Sequence, residues 1–404
     1  MATPVGVYIS VPFCKAKCTF CNFASGVFAA ERMQHYVDRI CHEIRIARIV
    51  AEKAGATLPE LADTIYFGGG TPSLLASSQF RQIFEQLRGE FNVSDCAEIT
   101  LECAPGQLAD ETLAELLRQG MNRVSFGVQS FVDQETAAVG RLHTRQQCKA
   151  EIARLRAAGV NDISIDLIAG LPHQTRESWQ YSVEQAIASA VPHVSVYMLE
   201  VDEESRLGKE LLAQGSRYDA ATVPSEDESA DWYQMACDRF DTAGLRQYEI
   251  SNFARQDHES RHNLKYWQRK PYIGFGLDAH SMLLTDVGAV RFANTSDMDV
   301  YMGDREPGLM PIVRDAASGY IDSIGREQAL EESLFLGLRL NRGVQFGALR
   351  TEFGETMLQG VMPALMEVCD AGLLEFQSDW IRLTSRGRMV SNEVFSRLLI
   401  DSVI

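Results

Sequence analysis

Three cysteines fall within eight positions near the start of the chain, in the stretch CKAKCTFC: Cys14, Cys18 and Cys21, spaced C-x3-C-x2-C. Thiols this close together suit metal binding or redox chemistry, because the thiolate is both the ligand and the nucleophile. A closed zinc site needs a fourth ligand, for which Cys41 and His42 in the following segment are the candidates. An iron–sulfur cubane accounts better for three: thiolates on one tight loop hold three irons and leave the fourth open for a small molecule. Three clustered thiols without metal would be an oxidation liability. An aromatic residue, Phe20, directly precedes the last cysteine.

Further groups with chemical potential lie downstream. GGGT, residues 68–71, offers bare backbone amides that a charged ligand can approach closely, since no Cβ intervenes; its plain alternative is a strand-to-helix turn. Glu102 can accept hydrogen bonds from an ammonium or from ribose hydroxyls. Gln129 and Asp166 are polar residues on strand-like segments, where each could simply cap a sheet edge. HNLKYW, residues 262–267, groups an imidazole in His262 with the aromatic faces of Tyr266 and Trp267, which on the residues alone reads as an ordinary packed aromatic loop at a domain junction.

The elements that must position these groups alternate. Strand-like runs at 5–12, 63–70, 97–103, 123–129, 162–172 and 193–201 are separated by helical periodicity at 29–55, 77–91, 110–120, 144–159 and 175–189. Thr175 reads as the N-cap of the last helix, with Trp179, Val183 and Ile187 on one face. The strands are dense in Val, Ile, Leu and Phe, as expected of parallel strands buried on both faces. Repeated βα units predict an α/β fold with a parallel sheet, doubly wound or curled into a barrel, and chemistry at the carboxyl ends of the strands. The cysteine loop follows the first strand, the glycines end the second, and Glu102 and Gln129 end the third and fourth. After residue 202 the pattern loosens into a helix at 228–244, a strand-like 247–254 and an aromatic, irregular 261–283. A composition shift predicts a boundary between about 300 and 326. Beyond it, amphipathic helices precede two short strands, LLEFQ and WIRLT, as in a small winged-helix unit.

Composition excludes several classes. The 404 residues are 46% hydrophobic and 23% charged, an ordinary globular balance with room for one large and one smaller domain. A formal net charge of −17 without a long basic run argues against nucleic acid as a main partner. No stretch reaches the roughly 18 apolar residues of a membrane span, and the N-terminus lacks the basic start and apolar core of a signal peptide. The remaining cysteines are scattered and read as reduced, buried small hydrophobes of a cytoplasmic chain.

The cysteine spacing with its preceding aromatic resembles the radical S-adenosylmethionine (SAM) superfamily. The resemblance sharpens to its HemN/HemW branch through VYISVPFCKAKCTFCNF, YFGGGTPSLL, SFGVQSF, GRLHT, DLIAGLP, QYEISNFAR and RHNLKYW, which follow in the branch's order over nearly the whole chain. It implies a partial (βα)6 TIM-type barrel over residues 1–300, carrying cluster and SAM, and a C-terminal HemN-type α+β, winged-helix-like domain over 301–404. It implies that Cys14, Cys18 and Cys21 ligate a [4Fe-4S] cluster whose open iron takes the amino and carboxylate groups of SAM. Tyr8, Phe20, Gly69, Gly70, Thr71 and Glu102 fall on cofactor positions. Gln129, Arg141 and Asp166 match positions at which the oxidases of the branch contact a second SAM. HNLKYW matches a motif associated with heme in the HemW-type chaperones.

Three departures separate the chain from the oxygen-independent coproporphyrinogen oxidases. Phe23 stands where they carry a further cysteine. Only seven residues precede Tyr8, where the oxidases have an N-terminal extension. Ser10 replaces a histidine usual in both relatives, and a serine cannot supply imidazole acid–base chemistry. His173 also replaces a common glycine in GLPHQT. The resemblance therefore implies a HemW-type heme chaperone, with heme, an unidentified heme-acceptor protein and an electron donor as partners. A homodimer, and contact with a membrane only through the acceptor, are compatible with it. The competing expectations are a radical SAM enzyme acting on a tetrapyrrole and an iron–sulfur regulator that binds no SAM.

Overall fold

The computed structural model describes residues 3–286, 288–303 and 320–399. Six parallel strands lie side by side in chain order: β1 (Val5–Val11), β2 (Leu61–Gly69), β3 (Asn92–Cys103), β4 (Arg123–Gln129), β5 (Asp162–Ala169) and β6 (His193–Met198). Between them run α1 (Arg32–Lys53), α2 (Ser77–Glu90), α3 (Asp110–Arg118), α4 (Asp133–Ala138), α5 (Arg145–Ala157) and α6 (Arg176–Ala188). The Thr175 hydroxyl accepts from the Ser178 amide at the start of α6, the capping role expected of it, and Trp179 and Val183 are fully buried.

After β6 come α7 (Arg206–Leu212), α8 (Glu226–Thr242), β7 (Arg246–Gln247), β8 (Asn252–Ala254), α9 (Arg261–Trp267), β9 (Tyr272–Phe275), β10 (His280–Thr285), β11 (Gly288–Ala293), α10 (Met298–Met302) and β12 (Tyr320–Ile324). The stretch 261–283, expected to be irregular, is thus a helix followed by most of two strands. β9 pairs parallel with β1, and β8 pairs antiparallel with β6, so the two ends of the parallel run do not meet. The sheet is an open arc of twelve strands among the described residues, in line with the partial barrel.

The strands are not apolar on both faces as expected. Val7, Ile9, Phe67, Leu101, Val124, Phe126, Ile163, Ile165, Val194 and Val196 join the helices in one large core. The alternate positions are polar: Tyr8 and Ser10, Thr64 and Tyr66, Glu98, Thr100 and Glu102, Arg123 and Ser125, Ser164 and Asp166, His193 and Ser195. Period two therefore lines the concave side with hydrogen-bonding groups.

The C-terminal segment holds α11 (Arg326–Gly337), β13 (Val344–Gln345), α12 (Phe346–Phe353), α13 (Glu355–Asp370), β14 (Leu374–Gln377), β15 (Trp380–Leu383), α14 (Ser385–Met389) and α15 (Ser391–Arg397). The two expected strands form a sheet of three with β13, and a second core cluster runs from Ile324 to Leu398, with Met282 and Ala289. The expected boundary falls largely on 304–319, outside the described residues. Among the described residues no helix is long and apolar enough to cross a membrane.

Candidate cluster and cofactor site

The cysteine loop is closed at its neck. Cys14 N–H donates to Gly26 O at 2.8 Å, and Gly26 N–H to Pro12 O at 2.9 Å. The end of β2 is laid against the same neck: Gly70 N–H donates to Val11 O at 2.9 Å and Thr71 N–H to Phe13 O at 2.8 Å. A Cβ on Gly70 would stand 2.8–2.9 Å from Val11 O, Pro12 C and Phe13 O, so only glycine allows this approach. Gly69 adopts φ +101°, the left-handed region that favours glycine.

All three thiols are free and half-buried. Thr71 Oγ1 lies 3.8 Å from Cys14 Sγ, Ser25 Oγ 3.8 Å from Cys21 Sγ, and Arg141 Nη1 3.5 Å from Cys18 Sγ. Phe20 packs beside Val139, Ile168 and Leu171 and so anchors the loop on the sheet edge. The alternative zinc ligand Cys41 is buried on α1 with its thiol toward Gln82 O, pushed up to about 11 by burial, and belongs to the helix packing.

Glu102 reaches the same edge from β3. Its carboxylate accepts from the Tyr66 hydroxyl at 2.8 Å and from Gly69 N–H at 3.2 Å. Burial raises it to about 7; the Asp166 charge adds to this, while the two donors oppose it. Asp166, on β5, is pushed to about 6 by burial, against the pull of Ser195, Ser125, Arg141 and Arg123. Arg141 also donates to Gly127 O. Gln129 takes φ 69°, unusual outside glycine, and is buried next to Gly127. His173, in place of a common glycine, takes φ 64°, which explains why glycine suits that position.

The donor set fits the group implied: three unpaired thiols on one closed loop, a backbone cradle that a Cβ would fill, and an inward-facing carboxylate beside it. Cys14, Cys18 and Cys21 could hold the cluster. Gly69, Gly70, Thr71 and Glu102 lie beside it at the same strand edge, with Ser10 next to Gly69.

The HNLKYW motif lies elsewhere. Helix α9 closes the amino-terminal end of β1–β3. Glu98 accepts both Arg261 N–H and His262 N–H at 2.9 Å, satisfying the first turn of α9. Lys265 is buried against Asp63 at 2.6 Å and donates to Pro4 O. His262 is 1% exposed, bonded through Nδ1 to Thr64 Oγ1 at 2.8 Å and through Nε2 to Tyr266 Oη at 2.9 Å. Burial lowers it to about 3, so the imidazole is neutral. Trp267 lies under the Arg339 guanidinium of the C-terminal segment, 4.3 Å away. The structure thus brings the cysteines, glycines, Glu102, Arg141 and Asp166 to one edge, and leaves His262, Tyr266 and Trp267 in the floor.

Tyr66 escaped the reading of the sequence, although it links the two regions. Its signal was the alternation Thr64, Tyr66, Gly68, which puts it on the face of the glycine cradle.

The Radical SAM superfamily profile matches residues 8–186, and the HemN C-terminal domain profile matches 324–390. A curated heme chaperone HemW from Bacillus subtilis is 31% identical over 97% of this chain and 98% of its own. The chain belongs to the HemW family. The HemW of Synechocystis is 31% identical over 93% of this chain and 87% of its own, and that of Escherichia coli 27% over 98% and 99%. Among solved structures, coproporphyrinogen III oxidase (HemN) from Escherichia coli superposes with a TM-score of 0.80 at 21% identity, over 98% of this chain and 90% of its own, and so shares the fold.

Proposed function

We propose that this chain is a heme chaperone: it binds heme and hands it to an acceptor protein, and it carries a [4Fe-4S] cluster and SAM. The observation that carries the reading is the end-to-end match to heme chaperones of the HemW family. Phe23, 65% exposed just after the cluster loop where the oxidases carry a cysteine, supports it against coproporphyrinogen oxidation.

Cys14, Cys18 and Cys21 are assigned to the cluster. Tyr8, Phe20, Gly69, Gly70, Thr71 and Glu102 are assigned to SAM or its surroundings, and Gln129, Arg141 and Asp166 to a second cofactor position at the same edge. When bound, the cluster supplies an electron and SAM a cleavable sulfonium bond. The chain's own residues do the rest: the glycine cradle leaves room for the amino-acid end of SAM, and Glu102 accepts from its amino group. His262, Tyr266 and Trp267 are assigned to the heme-responsive segment; iron ligation by His262 would require one of its two ring hydrogen bonds to break. An electron donor, a homodimer and a cytoplasmic location complete the proposal, as does a division into a site-bearing unit, 1–300, and an accessory unit, 301–404, supported by the second core cluster.

The test is an anaerobic heme titration of the purified, cluster-reconstituted protein, followed by mixing with an apo heme protein. Stoichiometric binding and transfer are expected, with coproporphyrinogen III unchanged in the presence of SAM and reductant. Absence of saturable heme binding, or SAM-dependent conversion of coproporphyrinogen III, would overturn the reading.

A further inference from the structure

Glu102 is a half-buried carboxylate whose usefulness depends on its orientation and charge. Its stronger partner is the Tyr66 hydroxyl, at 2.8 Å. A phenol aims its hydroxyl only as well as its ring is held. The Tyr66 ring is held by two others, Tyr8 at 5.9 Å and 25° and His262 at 5.1 Å and 28°, which also face each other at 6.3 Å. Of the three, the imidazole is the most tightly fixed. Both ring nitrogens are bonded, to Thr64 and Tyr266, and the backbone N–H is bonded to Glu98. Tyr266 is packed edge-on against Tyr272 at 4.6 Å. The helix beneath is pinned by Lys265 to Asp63 and by Trp267 to Arg339.

A histidine with two satisfied ring nitrogens cannot rotate without breaking a buried hydrogen bond. It therefore acts as a fixed flat wall for Tyr66. We propose that His262 is a positioning residue for the cofactor site: it fixes the Tyr66 ring and, through the Tyr66 hydroxyl, the carboxylate of Glu102 on the far side of the polar interior. The inference rests on the reading that Glu102 receives SAM, and it is independent of heme. It also gives α9 a task toward groups at the opposite end of the strands, and ties the C-terminal segment to the cofactor position through Arg339, Trp267 and α9.

The pH dependence distinguishes this role from a merely structural one. Facing Glu102 are Tyr66 and the Gly69 amide from β2, Asp166 from β5, Tyr8 from β1 and Tyr266 from α9. A donor to the ionised carboxylate favours that form. Loosening Tyr66 removes this help, so a larger share of Glu102 is protonated at neutral pH and accepts poorly from the amino group of SAM. The defect should shrink as pH rises to about 8.

The experiment is anaerobic equilibrium dialysis of SAM, without heme, on the full cluster-reconstituted chain. The variants are Glu102→Gln, Tyr66→Phe, His262→Leu, His262→Phe and the Tyr66→Phe/His262→Leu double variant, with iron content and thermal midpoint as fold controls. Tyr66→Phe and His262→Leu are expected to weaken SAM about tenfold at neutral pH, the scale of one hydrogen bond to a charged group. The double variant should be no worse than the poorer single, and the loss should narrow at about pH 8. His262→Phe, which keeps the flat wall, should recover part of the affinity. If His262→Leu does not fold, Tyr66→Phe and His262→Phe carry the test. The inference is overturned if Glu102→Gln loses SAM while the Tyr66 and His262 variants bind normally, or if their losses add and ignore pH. If Glu102→Gln itself binds SAM like the parent protein, the assignment of Glu102 falls, and the inference with it.

Discussion

The two ends of the parallel strands are built on opposite principles. At the carboxyl edge, backbone is stripped to glycine, the thiols are free and half-buried, and Glu102 and Asp166 sit above their ordinary pKa values with acceptor capacity left over. At the amino edge, α9 fills the opening and its buried polar groups are closely paired: Glu98 with two amides, Lys265 with Asp63, His262 with Thr64 and Tyr266. The contrast teaches that a ligand-like motif and a ligand-ready site are different things. HNLKYW has the residue types of a heme site, but its His262, Lys265 and Tyr266 side chains are already paired, although the buried indole N–H of Trp267 is not. At the carboxyl edge the GGGT amides are paired as well, and it is the thiols of CKAKCTFC, with only long contacts, and the half-buried Glu102 that are left for a ligand.

The contrast can be broken at several points, beginning with the largest effect. Cys18→Ala should abolish the visible absorbance and iron content of the reconstituted protein, while leaving the thermal midpoint of the cluster-free chain unchanged. A retained cluster would remove Cys18 from the ligand set. Gly70→Ala comes next: its Cβ would press on the neck of the cysteine loop, and a strain of about 1–3 kcal/mol should weaken SAM by about tenfold or more. Unchanged affinity by dialysis would mean the cradle is not where SAM sits.

At the floor, Glu98→Gln should act on stability and not on the cluster. It replaces one of two acceptors for the start of α9 with a donor facing an N–H, a cost of about 1–3 kcal/mol in urea unfolding. Normal stability with a damaged cluster would reverse the contrast drawn above. A pH series then separates the ends again. Glu102 is raised from 4.5 to about 7, so the folded chain holds a proton that the unfolded chain releases; this group's contribution to stability falls as pH rises through that window. SAM affinity should move the other way and rise with pH through about 7, because the ionised carboxylate is the better acceptor. A flat affinity profile would remove Glu102 from the site. The smallest effect is expected from Arg339→Lys, which keeps a positive charge beside the buried Glu249 and loosens only the flat guanidinium contact on the Trp267 face, for about 0.5–1 kcal/mol of stability. A large loss of heme binding there instead would point to Trp267 as part of an exposed heme surface.

Much of the fold was legible because long periodic segments announce themselves. The six parallel strands and five of the helices between them appear where strand-like runs and helical spacing put them, while the short α4 was not expected; Thr175 caps α6, and LLEFQ and WIRLT pair as strands. The stretch 261–283 was not legible. A helix of seven residues, a strand of four and the start of another give too few repeats for a period to show. The polar inner face was misjudged for a related reason: Val and Ile on the helix-facing positions dominate the composition of β1–β6, and only reading every second residue reveals Thr64, Glu98, Ser125, Ser164 and His193.

At the site, the cysteines, glycines and Glu102 were readable because they belong to contiguous motifs at strand ends. Tyr66 was not, since a tyrosine on a strand is ordinary. The burial of His262 was hidden as well: its partners Thr64 and Glu98 lie 198 and 164 residues away, a relation that only the folded chain creates.

The central claim is that the carboxyl edge holds a cluster with one iron open to SAM. Electron paramagnetic resonance of the reduced, reconstituted protein tests it most directly. The account predicts that adding SAM changes the cluster's signal in the parent chain and leaves it unchanged in Gly70→Ala at the same SAM concentration. A signal from the parent chain that ignores saturating SAM would contradict it.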